Sequence, residues 1–572
     1  MTRKNIQAQA GPGAAAAVSP WSVLALLIAG LAVLPMLSVV WLAFNPTENI
    51  WPHLLETVLP RYLANTLLLG AGVAVLTAAV GTGAAWLVAM YRFPGSRWLD
   101  YALLFPLAIP AYIGAYALVD FLNYSGPLQT VLRSMAGWKS ARDYWFPQVH
   151  SMGFAVVVMA GAYYPYVYLL SRAAFREQSG ALYEVARALG ASPAGLFLRV
   201  GLPMARPSIA AGVALVLMET VADFGTVQHF GIQTLTMGVF STWLNSGNAG
   251  GAAQIAGIIL VLVLALVAVE RLMRRRAKFH RPSRAIRPVQ PVHLTGAPAW
   301  IATGLCLVPL AFGFVLPVAV MAAHALKKPQ VWLAPGLGQA VGNTLLTGGL
   351  AALLTVGAAL VVVHGLRLIG TGFARWVLPL TTLGYAAHGA VLALGVLIPL
   401  AALDHRLADL VLAVSGQDPG LLLTGRAAAL VIAYLVRFFG VASGAVETAI
   451  GRVSPSLPMA ARSLGQGAGG VLWRVYLPLM RNSVLTALLV VFVDCLKELP
   501  ATLMLRPFNF NTLATRAYEL ASLEKIGESA PAALIVIAVG LAAVWVMAGA
   551  TGRGEADHVP VRAEEPVFGA AP

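Results

Sequence analysis

EVARALGASPAGLFLRVGLP, Glu184 to Pro203, and MAARSLGQGAGGVLWRVYLP, Met459 to Pro478, are two versions of one segment about 275 residues apart. They align without gaps. Ala186, Arg187, Leu189, Gly190, Arg199, Val200, Leu202 and Pro203 stand opposite identical residues, Ala461, Arg462, Leu464, Gly465, Arg474, Val475, Leu477 and Pro478, while Leu198 stands opposite Trp473. Self-similarity at a long period reveals architecture before any residue chemistry does. The match runs on: Glu219 and Asp223 fall opposite Asp494 and Glu498. After a shift of three, Gln233, Thr234 and Leu235 resemble Asn511, Thr512 and Leu513, and Asn65 and Thr66 resemble Asn343 and Thr344. The chain is therefore read as two copies of one unit.

Composition says what that unit is made of. Hydrophobic residues make up 59% of the 572 and charged residues 11%, where a soluble domain carries about 25% charged residues. Such a chain uses lipid as its solvent, and in lipid every backbone polar group needs an internal partner, which leaves helices or a closed barrel. The apolar runs are continuous over about 20 residues, as helices require, rather than alternating in polarity. Runs of that length begin near residues 21, 64, 98, 151, 204, 251, 300, 343, 376, 427, 479 and 531. The expected fold is all-α and integral to the membrane, with about twelve transmembrane helices in two parallel six-helix repeats. Because six is even, the pseudo-twofold relating them runs along the membrane normal.

The expected division is a flexible cytoplasmic N-terminus (1–20), a first half (21–270), a basic cytoplasmic linker (271–298), a second half (299–551) and a cytoplasmic C-terminal tail (552–572). Trp21 to Phe44 is too long for a signal-peptide core and reads as a retained span. Starting inside places about 25 of the 38 Lys and Arg residues on the cytoplasmic side, including the run from Arg271 to Arg287, and both termini with them. The net charge of +15 reflects this topology and not nucleic-acid binding, since the basic residues sit in short loops beside apolar runs. Cys306 and Cys495 lack metal-ligand spacing and read as packing residues. No G-x-x-x-x-G-K-[ST] phosphate loop, H-E-x-x-H motif or Ser nucleophile with a base in reach occurs, and His364 and His388 read as packing or hydrogen-bonded residues. The chain is not expected to be an enzyme.

Both copies of the repeated segment fall between the fourth and fifth span of their half, and each reads as a short helix ended by a glycine able to take positive φ. The segments resemble the EAA loop of ABC importer permeases, which forms the helix that docks on the ATPase. The resemblance assigns coupling to Glu184, Ala186, Arg187, Gly190 and Pro203, and to Ala460, Ala461, Arg462, Gly465 and Pro478. Met459 stands where the family has glutamate. The resemblance implies two copies of a cytoplasmic ATPase carrying the ATP and magnesium, with no cofactor on this chain. It also implies an external or periplasmic binding protein docking on loops that include Gln228 to Gly250 and Arg506 to Glu528, in the bacterial cytoplasmic membrane.

Ionisable groups inside spans are costly, by about 2.5–3.5 kcal/mol each, and mark function. Glu219 and Asp223 share one helical face, as do Asp494 and Glu498, with Lys497 beside them, and both pairs are placed near the external end of the fifth and eleventh spans. Carboxylates suit hard cations, although an ion-pair network with Lys497 is the structural alternative, and no metal ligand set is firmly assigned. Tyr163, Tyr164, Tyr166 and Tyr168 read as an interfacial belt. METVADFGTVQHFG from Met218 and DCLKELPATLMLRPFNFNTLATRAYELAS from Asp494 resemble ferric-iron permeases, so ferric iron is the expected substrate, with thiamine or an aminoethylphosphonate as alternatives. A major-facilitator carrier is the rival from another class; MYRFPGSRW, Met90 to Trp98, lacks that family's loop signature.

Overall fold

The computed structural model describes residues 19–46, 48–276 and 289–556. The leader before residue 19, most of the basic linker and the tail after residue 556 lie outside the described residues. The chain is an all-α integral membrane protein. Eleven described helices are long and apolar enough to cross a bilayer, and a bent pair, Ser96–Ala108 and Ala111–Ala136, meeting at 95°, completes twelve.

The first half follows as Pro20–Phe44, Leu59–Met90, the bent pair, Met152–Arg176, Pro193–Ala222 and Ala249–Val269. The second follows as Ala297–Lys327, Leu337–Ile369, Gly389–Ser415, Ala427–Arg452, Ala468–Lys497 and Ile526–Val546. Two expected boundaries move. The third span is not straight, because Pro106 and Pro110 lack the N–H that would continue the ladder. The ninth begins at Gly389 rather than near residue 376, since a short helix, Thr371–Thr381, precedes it and His388 caps its start, Nδ1 accepting from the Ala390 amide at 3.0 Å. Part of the predicted linker is ordered: the sixth helix continues to Arg276, and Val292–His293 pairs in parallel with Tyr91–Arg92.

Corresponding residues of the two halves make corresponding bonds. After the fifth and eleventh spans the chain turns back through short helices, leaving backbone amides and carbonyls that lipid cannot satisfy. Asn65 Nδ2 donates to the Gln233 carbonyl at 2.9 Å, and Asn343 Nδ2 to the Asn511 carbonyl at 3.0 Å. Thr66 Oγ1 accepts from the Leu235 amide at 3.0 Å, and Thr344 Oγ1 from the Leu513 amide at 2.8 Å. The Asn-Thr and Gln/Asn-Thr-Leu similarities are thus one hydrogen-bonded clasp made twice.

The first span of each half crosses to the other half. Pro20–Phe44 packs on Leu337–Ile369 and Gly389–Ser415, with Ser22 Oγ donating to the Gly365 carbonyl at 3.3 Å. Ala297–Lys327 meets the fourth span, where Gly313 lies against Gly161. Without a hydrophobic drive between helices in lipid, close backbone approach supplies the packing. A Cβ on Gly395 would stand 2.2 Å from the Pro35 carbonyl oxygen, and one on Gly313 2.2 Å from that of Gly161.

Gly395→Val or Gly313→Val is therefore expected to cost about 1–3 kcal/mol by overpacking. Thermal unfolding of detergent-solubilised protein should show a lowered midpoint for both, while Gly357→Val, whose Cβ meets nothing within 4 Å, should change it little. Equal loss in all three would refute the close-approach account.

Candidate functional site

Two features stand out, one at an end of the helix bundle and one in its middle. At the end, the loop helices Gly180–Ala188 and Ser456–Ser463 join the fourth to the fifth span and the tenth to the eleventh. Each ends in a left-handed glycine, Gly190 at φ +81° and Gly465 at φ +83°. The same bonds close both turns: the glycine amides reach the Arg187 and Arg462 carbonyls at 2.9 Å, and the next amides reach Ala186 and Ala461 at 3.0 Å. Ala186 and Ala461 are half-buried, whereas Glu184, Arg187, Ala460 and Arg462 are exposed. Pro203 and Pro478 each stand in the first turn of the long helix that follows.

Both loop helices present bare apolar side chains in matching places. Leu189 and Leu464 are 83% and 81% exposed, and Leu182 and Leu457 are each 46% exposed. Beneath the first, buried Tyr183 packs on Trp86 at 5.9 Å and its hydroxyl hydrogen-bonds Gln178. Beneath the second, His364 lies between Trp21 and Tyr476, and its Nε2 approaches the Ala468 carbonyl at 3.1 Å. His364 is thus a hydrogen-bonded packing residue. The first span supplies Trp21 to the other half's loop.

In the middle, a cavity of about 140 Å³ opens where the halves meet. All four predicted carboxylates, Glu219, Asp223, Asp494 and Glu498, line it, with Tyr163, Tyr166, Tyr385, Arg437 and Lys497. It lies at the ends of the fifth and eleventh spans, as expected for the acidic pairs, and level with the middle of their neighbours. Tyr163, which touches Asp223, is the twelfth residue of Met152–Arg176, and Arg437, which touches Glu498, is the eleventh of Ala427–Arg452. At 1.5 Å per residue both are roughly 16 Å from the start of their own helix. The fifth and eleventh helices stop here, at Ala222 and Lys497, and continue as the short helices Gly225–His229 and Pro500–Leu505.

The carboxylates divide by role. Asp223 accepts from the Thr226 amide at 2.8 Å, the Thr226 hydroxyl at 2.9 Å, the Val227 amide at 3.2 Å and the Tyr163 hydroxyl at 3.3 Å. Glu498 accepts from the Ala501 amide at 2.9 Å and pairs with Arg437 Nε at 2.9 Å. These two cap the short helices that restart the chain. Asp494 pairs with Lys497 at 3.3 Å, as the ion-pair alternative expected. Glu219 makes no ion pair or hydrogen bond among the described residues.

The tyrosine run is not an interfacial belt, since it occupies the middle of its helix. Tyr163 and Tyr166 face the cavity, whereas Tyr164 and Tyr168 are buried elsewhere and the Tyr168 hydroxyl donates to the Asp100 carbonyl at 2.9 Å. Arg437 and Tyr385 were missed in the sequence. Arg437 carried a signal, as a lone charge within AAALVIAYLVRFFGV, residues 427–441. Tyr112 and Phe224, which line the cavity, both pack against Tyr518 of the second half. Tyr112 is 6.2 Å and Phe224 5.9 Å from the Tyr518 ring, and Tyr518 hydrogen-bonds Gln228 across the halves.

Comparison with known proteins gives this geometry a family. Residues 79–279 match the binding-protein-dependent transport system inner membrane component family. The chain is 24% identical over 524 residues to the Fe(3+)-transport system permease protein FbpB 2 of Haemophilus influenzae, covering 90% of this chain and 96% of that one. A protein named as a sulfate transport system permease in Nephroselmis olivacea is 28% identical over 200 residues, covering 34% of this chain and 67% of its own. One named as a 2-aminoethylphosphonate transport system permease in Salmonella choleraesuis is 28% identical over 203 residues, covering 34% and 69%. The repeated loop helices and the membrane-spanning bundle thus accompany a binding-protein-dependent transport system inner membrane component domain over residues 79–279 and a likeness to a transport permease that runs nearly the length of the chain.

Proposed function

We propose that this chain is the permease of a ferric-iron importer: two six-helix halves related by a pseudo-twofold along the membrane normal, with both termini in the cytoplasm. The observation that carries the reading is the mid-membrane cavity, where four carboxylates outnumber two cations. Oxygen-rich, anionic surroundings suit a hard cation. An oxyanion such as sulfate or a phosphonate would need uncommitted positive groups, and both Arg437 and Lys497 are held by carboxylates. Thiamine is cationic, but the cavity is smaller than the roughly 300–1,000 Å³ usual for organic ligands. The iron permease relative also spans nearly the whole chain, whereas the sulfate and phosphonate permeases match about a third.

In this reading a binding protein delivers cargo at the end opposite the loop helices, and the Tyr112, Phe224 and Tyr518 cluster parts to admit it. Two ATPase subunits grip the apolar faces of Gly180–Ala188 and Ser456–Ser463, and their closing and reopening rocks the halves about the cavity. Gly190 and Gly465 hold each loop helix at its angle. Glu219 and Asp494 occupy equivalent places on the two walls and offer carboxylate oxygens to the passing ion.

ATP-dependent uptake of radiolabelled ferric iron into proteoliposomes holding this chain, its ATPase and its binding protein tests the substrate, with thiamine and 2-aminoethylphosphonate in parallel. Iron uptake is expected, and exclusive uptake of another substrate would overturn the reading. In the same vesicles Glu219→Gln with Asp494→Asn should lower iron uptake about tenfold or more while the ATPase still co-purifies; unchanged uptake would remove the carboxylates from the path.

Leu189→Asp with Leu464→Asp places charge on the docking faces and should release the ATPase on gel filtration. Gly190→Val with Gly465→Val imposes left-handed strain of about 1–3 kcal/mol per site and should abolish transport-coupled ATP hydrolysis. Retained association and coupling would defeat the docking role.

A further inference from the structure

The carboxylates of the cavity are duplicated by the repeat, and its cations are not. Glu219 corresponds to Asp494 and Asp223 to Glu498, but 275 residues before Arg437 stands Ala162, and before Lys497 stands Ala222. Both alanines line the same cavity. All the positive charge therefore lies on the second-half wall. There Arg437, rising from the tenth span, joins three elements: its Nε meets Glu498, at the end of the eleventh span, at 2.9 Å, and its Nη1 donates to the Ala387 carbonyl, just before the ninth, at 3.3 Å. Gly389 faces this pair so closely that a Cβ would stand 2.5 Å from Glu498 Oε1 and 3.1 Å from Arg437 Nη1. On the first-half wall Asp223 is satisfied by amides and hydroxyls alone.

A charged arginine in the middle of an apolar helix is costly, and the first half caps the equivalent short helix without one. Helix capping by itself does not require Arg437. What it adds is a fixed positive charge inside a chamber built for cations. An ion pathway must bind its cargo strongly enough to admit it and weakly enough to let it go, and each carboxylate left without a counter-charge in a low-dielectric site tightens the hold on a small polyvalent ion.

We propose that Arg437 is a specificity-determining residue: a resident counter-ion that neutralises Glu498, limits the chamber's grip on its cargo, and leaves Glu219 as the uncompensated carboxylate the cargo meets. The proposal rests on the ferric-iron reading given above. Removing the positive charge alone leaves Glu498 bare, deepens binding and slows release; removing both members of the pair restores the charge balance.

The test is steady-state iron uptake in the reconstituted vesicles by wild type, Arg437→Gln, Arg437→Lys and the double variant Arg437→Gln with Glu498→Gln, each normalised to permease content. Arg437→Gln should lower KM about fivefold or more and lower kcat with it, and Mn²⁺, expected not to compete with iron for wild type, should become an effective competitor. Arg437→Lys keeps the charge and should hold KM near the wild-type value. The double variant should return both constants toward wild type and expel Mn²⁺. A purely structural tie predicts instead a fall in kcat or in folded yield with KM and Mn²⁺ exclusion unmoved, uncorrected in the double variant; that result overturns the proposal. Wild-type vesicles that carry no iron overturn the substrate reading, and this inference falls with it.

Discussion

A helix that stops inside a membrane-spanning bundle leaves backbone groups with no solvent to turn to, and the architecture of this chain follows from how that is settled. The fifth and eleventh helices end level with the middle of the helices beside them, which opens the space where the cavity sits. Asp223 and Glu498 receive the amides of the helices that restart the chain. Asn65 with Thr66, and Asn343 with Thr344, receive and supply the bonds of the strand-like returns beyond. Each unmet group would cost several kcal/mol in hydrocarbon, so these few polar side chains are what make an interrupted span tolerable. Two of the four cavity carboxylates are therefore scaffold, whereas Glu219 and Asp494 take no part in capping the restarted helices.

Much of this was legible in the residues. The repeat named the loop helices, and Gly190 and Gly465 adopt the positive φ that their place in the pattern implied. The acidic pairs stood out because charge is rare in spans, and they do converge. The restart of the chain beyond them as short helices was not legible in the same way, since counting apolar runs treats each span as one rod and passes over the signals that break it, Asp-Phe-Gly at 223–225 and Glu-Leu-Pro at 498–500. Arg437 was passed over because it is single, although the rule applied to the carboxylates covers it equally.

The crossing of the first and seventh spans had no sequence signal of the kind hydropathy offers. Pro20–Phe44 is apolar on every side and would satisfy lipid anywhere. What selects its place is shape: Gly365 and Gly395 on the second half admit its backbone, and Gly313 and Gly161 do the same for the seventh span. Partner choice of this sort is a matter of which surfaces can approach within contact distance, and it becomes visible only when both helices are in view.

The alanines opposite Arg437 and Lys497 bear on why the two halves are one chain. In a permease assembled from two identical subunits, any arginine or lysine placed at the chamber would appear twice, and two such positions would set four cations against four carboxylates and cancel the field. Covalent fusion lets each copy drift separately, so one wall can hold the neutralising charge while the other stays bare. A chamber whose two walls differ in charge, one holding both cations and the other none, is open to a fused chain and closed to a symmetric dimer.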